Sequence, residues 1–453
     1  MELEAIPGVG AKTAAALREL DDPAATVESG DVAAIARAPG VNEARAARIA
    51  RGAIRRRHGD DGRVLATDRA REVYRDAIDL LRERTVTDYA AKRLETFYPS
   101  ASGSRIAEAQ SFVESAVDRE PDPAVRDALA GVEPLDDPPT VRVRDRCLAT
   151  ADAETLARAE SAVPELSVET VEDARDLSEL ARSYATVIVL DEAFAGLDVE
   201  GDVHVRPDAL ENPAETVPER LLAFFAANRE RLEAAAAVHD AAGIAADASA
   251  DLDELRDALA RLDDDGTIVG DDELARLTAA VDDLDAAVST AGSVADDRLR
   301  AAIRERDVTI EGTDFLSLVE QGARVDSLLD RELADEYDEA MASARDHLAD
   351  ALRLEPEEAE LADRVFGGDP SFPVDHDETA VSRLETELAA ARDRRAARLK
   401  SELARDLGEL RDPVETLVRD ALELDVELAI ARFARDFDCV MPEVVDPESD
   451  VPG

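Results

Sequence analysis

The chain has 453 residues, of which 45% are apolar, 35% charged and only 3% aromatic, with no tryptophan. That balance excludes collagen-like, mucin-like and wholly disordered chains, and the length allows two to four domains. Apolar runs such as Val187–Leu190 and Leu221–Ala227 fall well short of the roughly 18 residues that cross a bilayer. Cys147 and Cys439, the only cysteines, can build neither a disulfide framework nor a four-ligand zinc site. No charged-then-apolar leader opens the sequence, so a soluble, cytoplasmic protein without membrane contact is expected.

Acids outnumber bases 105 to 53, a net charge of −52, and only Lys12, Lys92 and Lys400 are lysines. At ordinary ionic strength such self-repulsion opposes compaction; at molar salt the Debye length falls to about 3 Å and the repulsion fades. The Lys-poor, Asp- and Ala-rich balance resembles that of proteins from salt-accumulating archaea. Acidity in such a chain says little about function.

Residues 1–60 escape the trend, with nine acids and nine bases, and 37–57 hold seven arginines against one acid. A chain that has shed cations elsewhere keeps them where an anion must be held. The segment also repeats: Ile6-Pro-Gly-Val-Gly10-Ala-Lys-Thr-Ala14 recurs as Ala38-Pro-Gly-Val-Asn42-Glu-Ala-Arg-Ala46. Each copy is Pro-Gly-Val-x before an Ala-rich helix, expected over Thr13–Leu20 and Glu43–Arg56. Gly8, Gly10 and Gly40 permit tight turns that aim unpaired backbone N–H groups of the following helix at an anion. Asn42 stands where the first copy has its second glycine, a substitution a left-handed backbone would tolerate. Lys12 and Arg45 occupy equivalent places, and Arg48, Arg51, Arg55 and Arg56 follow at helical spacing. These ten residues form the candidate DNA-binding set. The two copies resemble a tandem helix-hairpin-helix, a module that grips phosphates without reading bases. His58, beside Arg55–Arg57, belongs either to that face or to ordinary surface.

Beyond the hairpins, 61–139 reads as helical, with apolar stripes at Val73, Ala77, Leu80 and Leu81 and at Ile106, Ala109, Val113 and Val117. Residues 140–206 read as a small α/β domain: strands at Val141–Val143, Leu166–Val168 and Thr186–Leu190, with helices Asp152–Ala162 and Asp173–Tyr184 between them. Residues 207–437 read as long helices. Leu252, Leu255, Leu259 and Leu262 form one seam and Leu274, Leu277, Val281, Leu284 and Val288 another, joined by an Asp/Gly-rich tip. The two are expected to pair as an arm over about 250–305. Val308–Ile310 is a short strand candidate; Leu329, Leu333, Tyr337, Met341, Ala344 and Leu348 share a helical face. Long helices follow over Val381–Leu410 and Val414–Phe437, and 438–453 forms a tail. The expected class is thus mainly α: tandem helix-hairpin-helix, helical linker, small α/β domain and a long-helix region.

Three motifs tempt and fail. Val187–Leu190 followed by Asp191, Glu192 and Asp198 looks like a Walker B strand, but no G-x-x-x-x-G-K-[ST] exists to cradle phosphates. The nearest string, Gly10-Ala-Lys-Thr13, has Ala11 where glycine is required and no strand before it. Arg261–Asp272 mimics a calcium loop, yet Arg261 takes the first ligand position and Asp272 the place of the bidentate Glu. The five histidines show no metal spacing. No catalytic residue and no metal ligand is assigned, and no enzymatic activity is expected of this chain by itself.

The order of segments resembles archaeal MutS-related DNA repair proteins, which pair a helix-hairpin-helix start and a connector-like domain with a helical lever and clamp. The lever-like residues are Pro218–Phe225, Asp307–Gly312 and Leu424–Phe433, with Asp438–Glu443 leading on. The resemblance implies sequence-independent binding of double-stranded DNA by the DNA-binding and lever portion of a repair or recombination protein. It also implies a C-terminal ABC-class ATPase using ATP and Mg²⁺. Only eleven residues follow Pro442, so that domain and its cofactors are not expected in this chain. The family's mismatch-probing Phe-x-Glu near the N-terminus is absent, and mismatch recognition is not implied. The alternative is a non-enzymatic helical scaffold that binds another repair protein; a homodimer through the helical region is a further option.

Overall fold

The computed structural model describes residues 3–20, 22–60, 64–120, 122–137, 139–197, 199, 201–243, 252–305, 334–368 and 371–444. In chain order the elements begin with α1 (Ala11–Leu17), α2 (Pro23–Ser29), α3 (Val32–Ala36), α4 (Glu43–Arg57), α5 (Asp68–Arg82), α6 (Asp88–Arg93), α7 (Gly103–Val117) and α8 (Pro123–Leu129). An α/β stretch follows: β1 (Arg146–Thr150), α9 (Ala153–Ala162), β2 (Ser167–Thr170), α10 (Ala174–Ser183), β3 (Thr186–Val189) and β4 (Val203–Val205). The remainder is helical: α11 (Pro213–Thr216), α12 (Pro218–Ala227), α13 (Arg229–Ala242), α14 (Leu252–Ala260), α15 (Asp272–Glu305), α16 (Ala334–Leu352), α17 (Pro356–Ala362), α18 (Glu378–Glu409) and α19 (Arg411–Asp436). The protein is mainly α-helical, with short helices first, a small sheet, and long helices toward the C-terminal end. Its acid excess is used locally at helix starts: Asp22, Asp31, Asp122, Asp152 and Asp173 each accept a backbone N–H of the helix they precede.

Two compact units are built from discontinuous stretches: Met1–Val141 with Glu219–Thr267 and Ala404–Gly453, and Arg142–Pro218 with Ile268–Leu403. In the first, α19 is the organising element. Residues all round its circumference are buried, among them Val414, Leu417, Leu422, Val426 and Ile430, as a helix enclosed by others requires. It packs against α5, α6, α7, α8 and α13. Its one fully buried acid, Asp425, accepts the Val86 N–H, the Thr87 N–H at 2.7 Å and the Thr87 hydroxyl at 2.9 Å, tying α19 to the start of α6. The stripe expected on α5 is shallower than its pattern suggests, since no α5 residue is buried and Val73 is 51% exposed.

The second unit holds a four-stranded, wholly parallel sheet in the order β2-β1-β3-β4. Two of the expected strands are present, as β2 and β3. The third is displaced: Val141–Val143 is not a strand, and the central strand is Arg146–Thr150. All five β1 residues are buried, so it lacks the alternation that marks a half-exposed strand. Also unanticipated is β4, which pairs Val203 with Val187 and Val205 with Val189. Cys147, Ala149, Val187 and Val189 pack beneath Leu177 of α10. Enclosure in that core pushes the Cys147 thiol up to about 12.

α15, about 51 Å long at 1.5 Å per residue, packs along α16. Leu277, Leu284 and Val288 meet Tyr337, Met341 and Leu348, while Ala280, Ala287, Ala291, Ala340 and Ala344 let the two helices approach closely. α14 lies in the first unit and packs with α13. Arg276 fastens the start of α15 through Glu273 and Glu358, both at 2.8 Å. The expected strand Val308–Ile310, the lever-like stretch Asp307–Gly312, and Leu329, Leu333 and Asp198 lie outside the described residues.

Candidate nucleic-acid interface

The sequence repeat is a repeat of geometry. Val9 N–H donates to the Ile6 carbonyl at 3.0 Å and Val41 N–H to the Ala38 carbonyl at 2.9 Å. Each turn has proline second and a left-handed glycine third, Gly8 at φ +92° and Gly40 at φ +72°, the pattern of a type II turn. Ile6, Val9, Ala38 and Val41 are buried and anchor the loops from behind. A side chain at Gly8, Gly10 or Gly40 would meet nothing within 4 Å. The first and last of the three are therefore required by backbone angle and not by packing, and the space before them is open.

Gly10 and Asn42 begin the helices in extended conformations, with φ −93° and −85°. Asn42 is thus not left-handed, contrary to the reason anticipated for it. It is tolerated because an N-cap residue is extended, and its side chain accepts the Arg45 N–H at 3.0 Å. The first hairpin has no such side-chain cap.

The turns converge on one cleft of about 400 Å³ lined by Pro7, Gly8, Gly40, Asn42, Arg45, Arg48 and Ile49. Arg45 Nη2 donates to Thr13 Oγ1 at 2.5 Å, bridging the two hairpins, and Arg48 Nε donates to the Ala44 carbonyl at 3.2 Å. A guanidinium carries five N–H donors, so both retain capacity for an oxyanion. Close approach of α4 to the first turn depends on Gly52, where a Cβ would lie 3.1 Å from both Ile6 Cγ2 and the Pro7 carbonyl oxygen.

The other candidate residues are placed elsewhere. Lys12 and Arg56 are exposed outside the cleft lining. Arg51 and Arg55 lie over the ring of Tyr98, 5.6 and 4.6 Å from its centroid, with Arg105 on the same ring at 5.4 Å. Burial, and then repulsion from Arg51, lowers the Arg55 guanidinium below its ordinary value. His58 bonds to Ser104 and Glu108, each at 2.8 Å, and Arg57 pairs with Glu108 at 2.6 Å. This network docks the end of α4 on α7. Burial raises the Glu108 carboxyl, but hydrogen bonds from Arg57 and Arg105 outweigh it and hold the group below its usual range. Tyr98, Arg105 and Glu108 carried no local signal in the sequence.

The tempting motifs resolve into local structure. Asp191 accepts the Ala151 N–H at 2.8 Å, joining the ends of β1 and β3. In the calcium-like loop, Asp263 and Asp265 accept N–H groups of their own turn, from Asp264 at 2.8 Å and Thr267 at 2.9 Å. Among the described residues, no group of three or more His, Cys, Asp or Glu side chains could hold a metal ion, and no helix is long and apolar enough to cross a membrane.

Residues 1–53 match the SAM-like helix-hairpin-helix tandem family. No curated protein and no solved structure matches the chain. The fold is therefore a helical one carrying a helix-hairpin-helix motif at its N-terminal end, consistent with a nucleic-acid-binding or protein-binding scaffold.

Proposed function

We propose that residues 1–60 hold double-stranded DNA by its phosphates without reading bases, as the DNA-binding and lever portion of a MutS-like repair or recombination protein. The observation that carries the DNA-binding reading is the shared cleft, which brings Gly8 and Gly40 together with Arg45 and Arg48. A phosphate entering there meets the open glycine turns and two guanidinium groups. The order of hairpins, parallel α/β sheet and long paired helices supports the wider MutS-like reading.

Charge restricts the approach. On its other side the second turn borders a groove of about 1150 Å³ lined by five acids, Glu43, Asp88, Glu133, Asp136 and Asp137, against three bases, Arg37, Lys92 and Arg231. Burial, then repulsion from Asp88 and Glu133, raises the Glu43 carboxyl above its ordinary value. A phosphate strand is repelled there, so DNA approaches from the side of Arg45 and Arg48. The same groove favours the scaffold reading, because its excess of acids over bases suits a basic protein segment.

Gly10→Ala separates DNA contact from folding. The extended N-cap angle accepts alanine and its Cβ meets nothing, so the fold loses less than about 1 kcal/mol. The methyl group stands beside the uncapped amides of α1, and duplex affinity falls about tenfold, equivalent to about 1.4 kcal/mol. Fluorescence anisotropy with two duplexes of unrelated sequence checks this, with equal binding of both expected. Wild-type affinity in Gly10→Ala, or strong preference for one duplex, contradicts the proposal.

A further inference from the structure

The face of the parallel sheet away from α10 carries Arg146, Ile188 and His204 at alternate positions. A cleft of about 430 Å³ opens on it, bounded on another side by Arg394, Ala397, Arg398 and Ser401 of α18. Four of the twelve residues lining this cleft are arginines and two are acids, in a chain where acids outnumber bases 105 to 53. Both acids are already engaged: Glu215 pairs with Arg206 at 2.8 Å, and Asp202 with His204 at 2.7 Å and the Thr186 hydroxyl at 2.9 Å. Arg146, only 5% exposed, is fixed by a bond from Nη1 to the Thr216 carbonyl at 3.0 Å. Arg394 and Arg398 stand one turn apart and exposed. Arg398 pairs with Glu402, which is not part of the cleft lining, and among the described residues Arg394 forms no ion pair.

We infer that this cleft binds the phosphate group of a phosphate-bearing ligand, at a site independent of the hairpins. The forks of Arg394 and Arg398 take the oxyanion at the mouth, with Arg146 behind them and the Ser401 hydroxyl beside them. Guanidinium forks match a tetrahedral oxyanion in bidentate fashion, and such contact persists where screening removes long-range attraction. The volume falls within the range of about 300–1,000 Å³ typical of small-molecule sites, enough for a phosphate ester of nucleotide size.

Isothermal titration of the full chain at about 2 M KCl, where the Debye length is below about 3 Å, tests the inference. The probes are inorganic pyrophosphate, AMP and a short single-stranded oligonucleotide. Saturable pyrophosphate binding is expected, weakened about tenfold or more by Arg394→Gln with Arg398→Gln and unchanged by Arg48→Glu, which alters the hairpin cleft alone. Both replaced side chains are exposed, so the fold is retained, as circular dichroism will verify. AMP binding lost in the double variant assigns a small ester; oligonucleotide binding lost in it with AMP silent assigns strand phosphates. Absence of saturable pyrophosphate binding, or equal affinity in the double variant, overturns the inference.

Discussion

Arg45→Glu combined with Arg48→Glu lowers the affinity of the full chain for duplex DNA about a hundredfold, whereas Arg55→Ala changes it by less than about threefold. Each arginine on the cleft is proposed to make one charge-assisted contact to phosphate, worth about 1.5 kcal/mol or more. Two such losses give about 3 kcal/mol, before any repulsion from the introduced carboxylates. The dependence of binding on salt should also flatten by about two units of slope. Arg55 differs because its guanidinium lies 4.6 Å from the Tyr98 ring centroid and is absent from the cleft lining. Arg45 also bridges to Thr13, so Arg48→Glu alone, whose side chain among the described residues bonds only within its own helix, is the control for a structural loss. Anisotropy titrations at several salt concentrations provide the measurement; equal losses for Arg48→Glu and Arg55→Ala would remove the distinction drawn between these faces of α4.

Asp425→Ala destabilises the first unit by about 3 kcal/mol, the largest effect expected from any single polar substitution in it. The carboxylate receives the Val86 N–H, the Thr87 N–H and the Thr87 hydroxyl inside the core, and each donor stranded there costs about 1 kcal/mol or more. Burial raises the Asp425 carboxyl above its ordinary value, although bonds from Thr87 and Val86 oppose that shift. The folded state consequently holds this proton more firmly than the unfolded chain. The group's titration therefore favours folding below the ordinary aspartate value, and that contribution is lost as pH rises through the raised value. Asp425→Asn, which keeps one acceptor, should lose less than the alanine variant. Urea unfolding at fixed salt reads both, and a loss below about 1 kcal/mol for alanine would mean that water satisfies these donors.

The hairpins were legible because their constraints are local. A proline followed by a left-handed glycine, an extended residue and an Ala-rich helix all fall within nine residues, and the pattern occurs twice. The seam on α15 was equally plain in Leu277, Leu284 and Val288, but a seam marks a buried face without naming what covers it. Its partner within the unit is α16, and the alanines that let them approach, Ala340 and Ala344, carry little pattern of their own. β1 carries no legible pattern because a strand buried on both faces shows no period. Arg51 and Arg55 were assigned to the nucleic-acid face from helical spacing; the ring they cover belongs to Tyr98, more than forty positions along the chain.

The turns at Gly8 and Gly40 are proposed to present backbone donors to a phosphate strand. Amide hydrogen exchange of the full chain, with and without saturating duplex DNA, addresses those donors directly. Exchange should slow over Gly8–Thr13 and Gly40–Ala46 while the amides of α16 remain unchanged. Unaltered exchange in both turns with duplex demonstrably bound would contradict the claim.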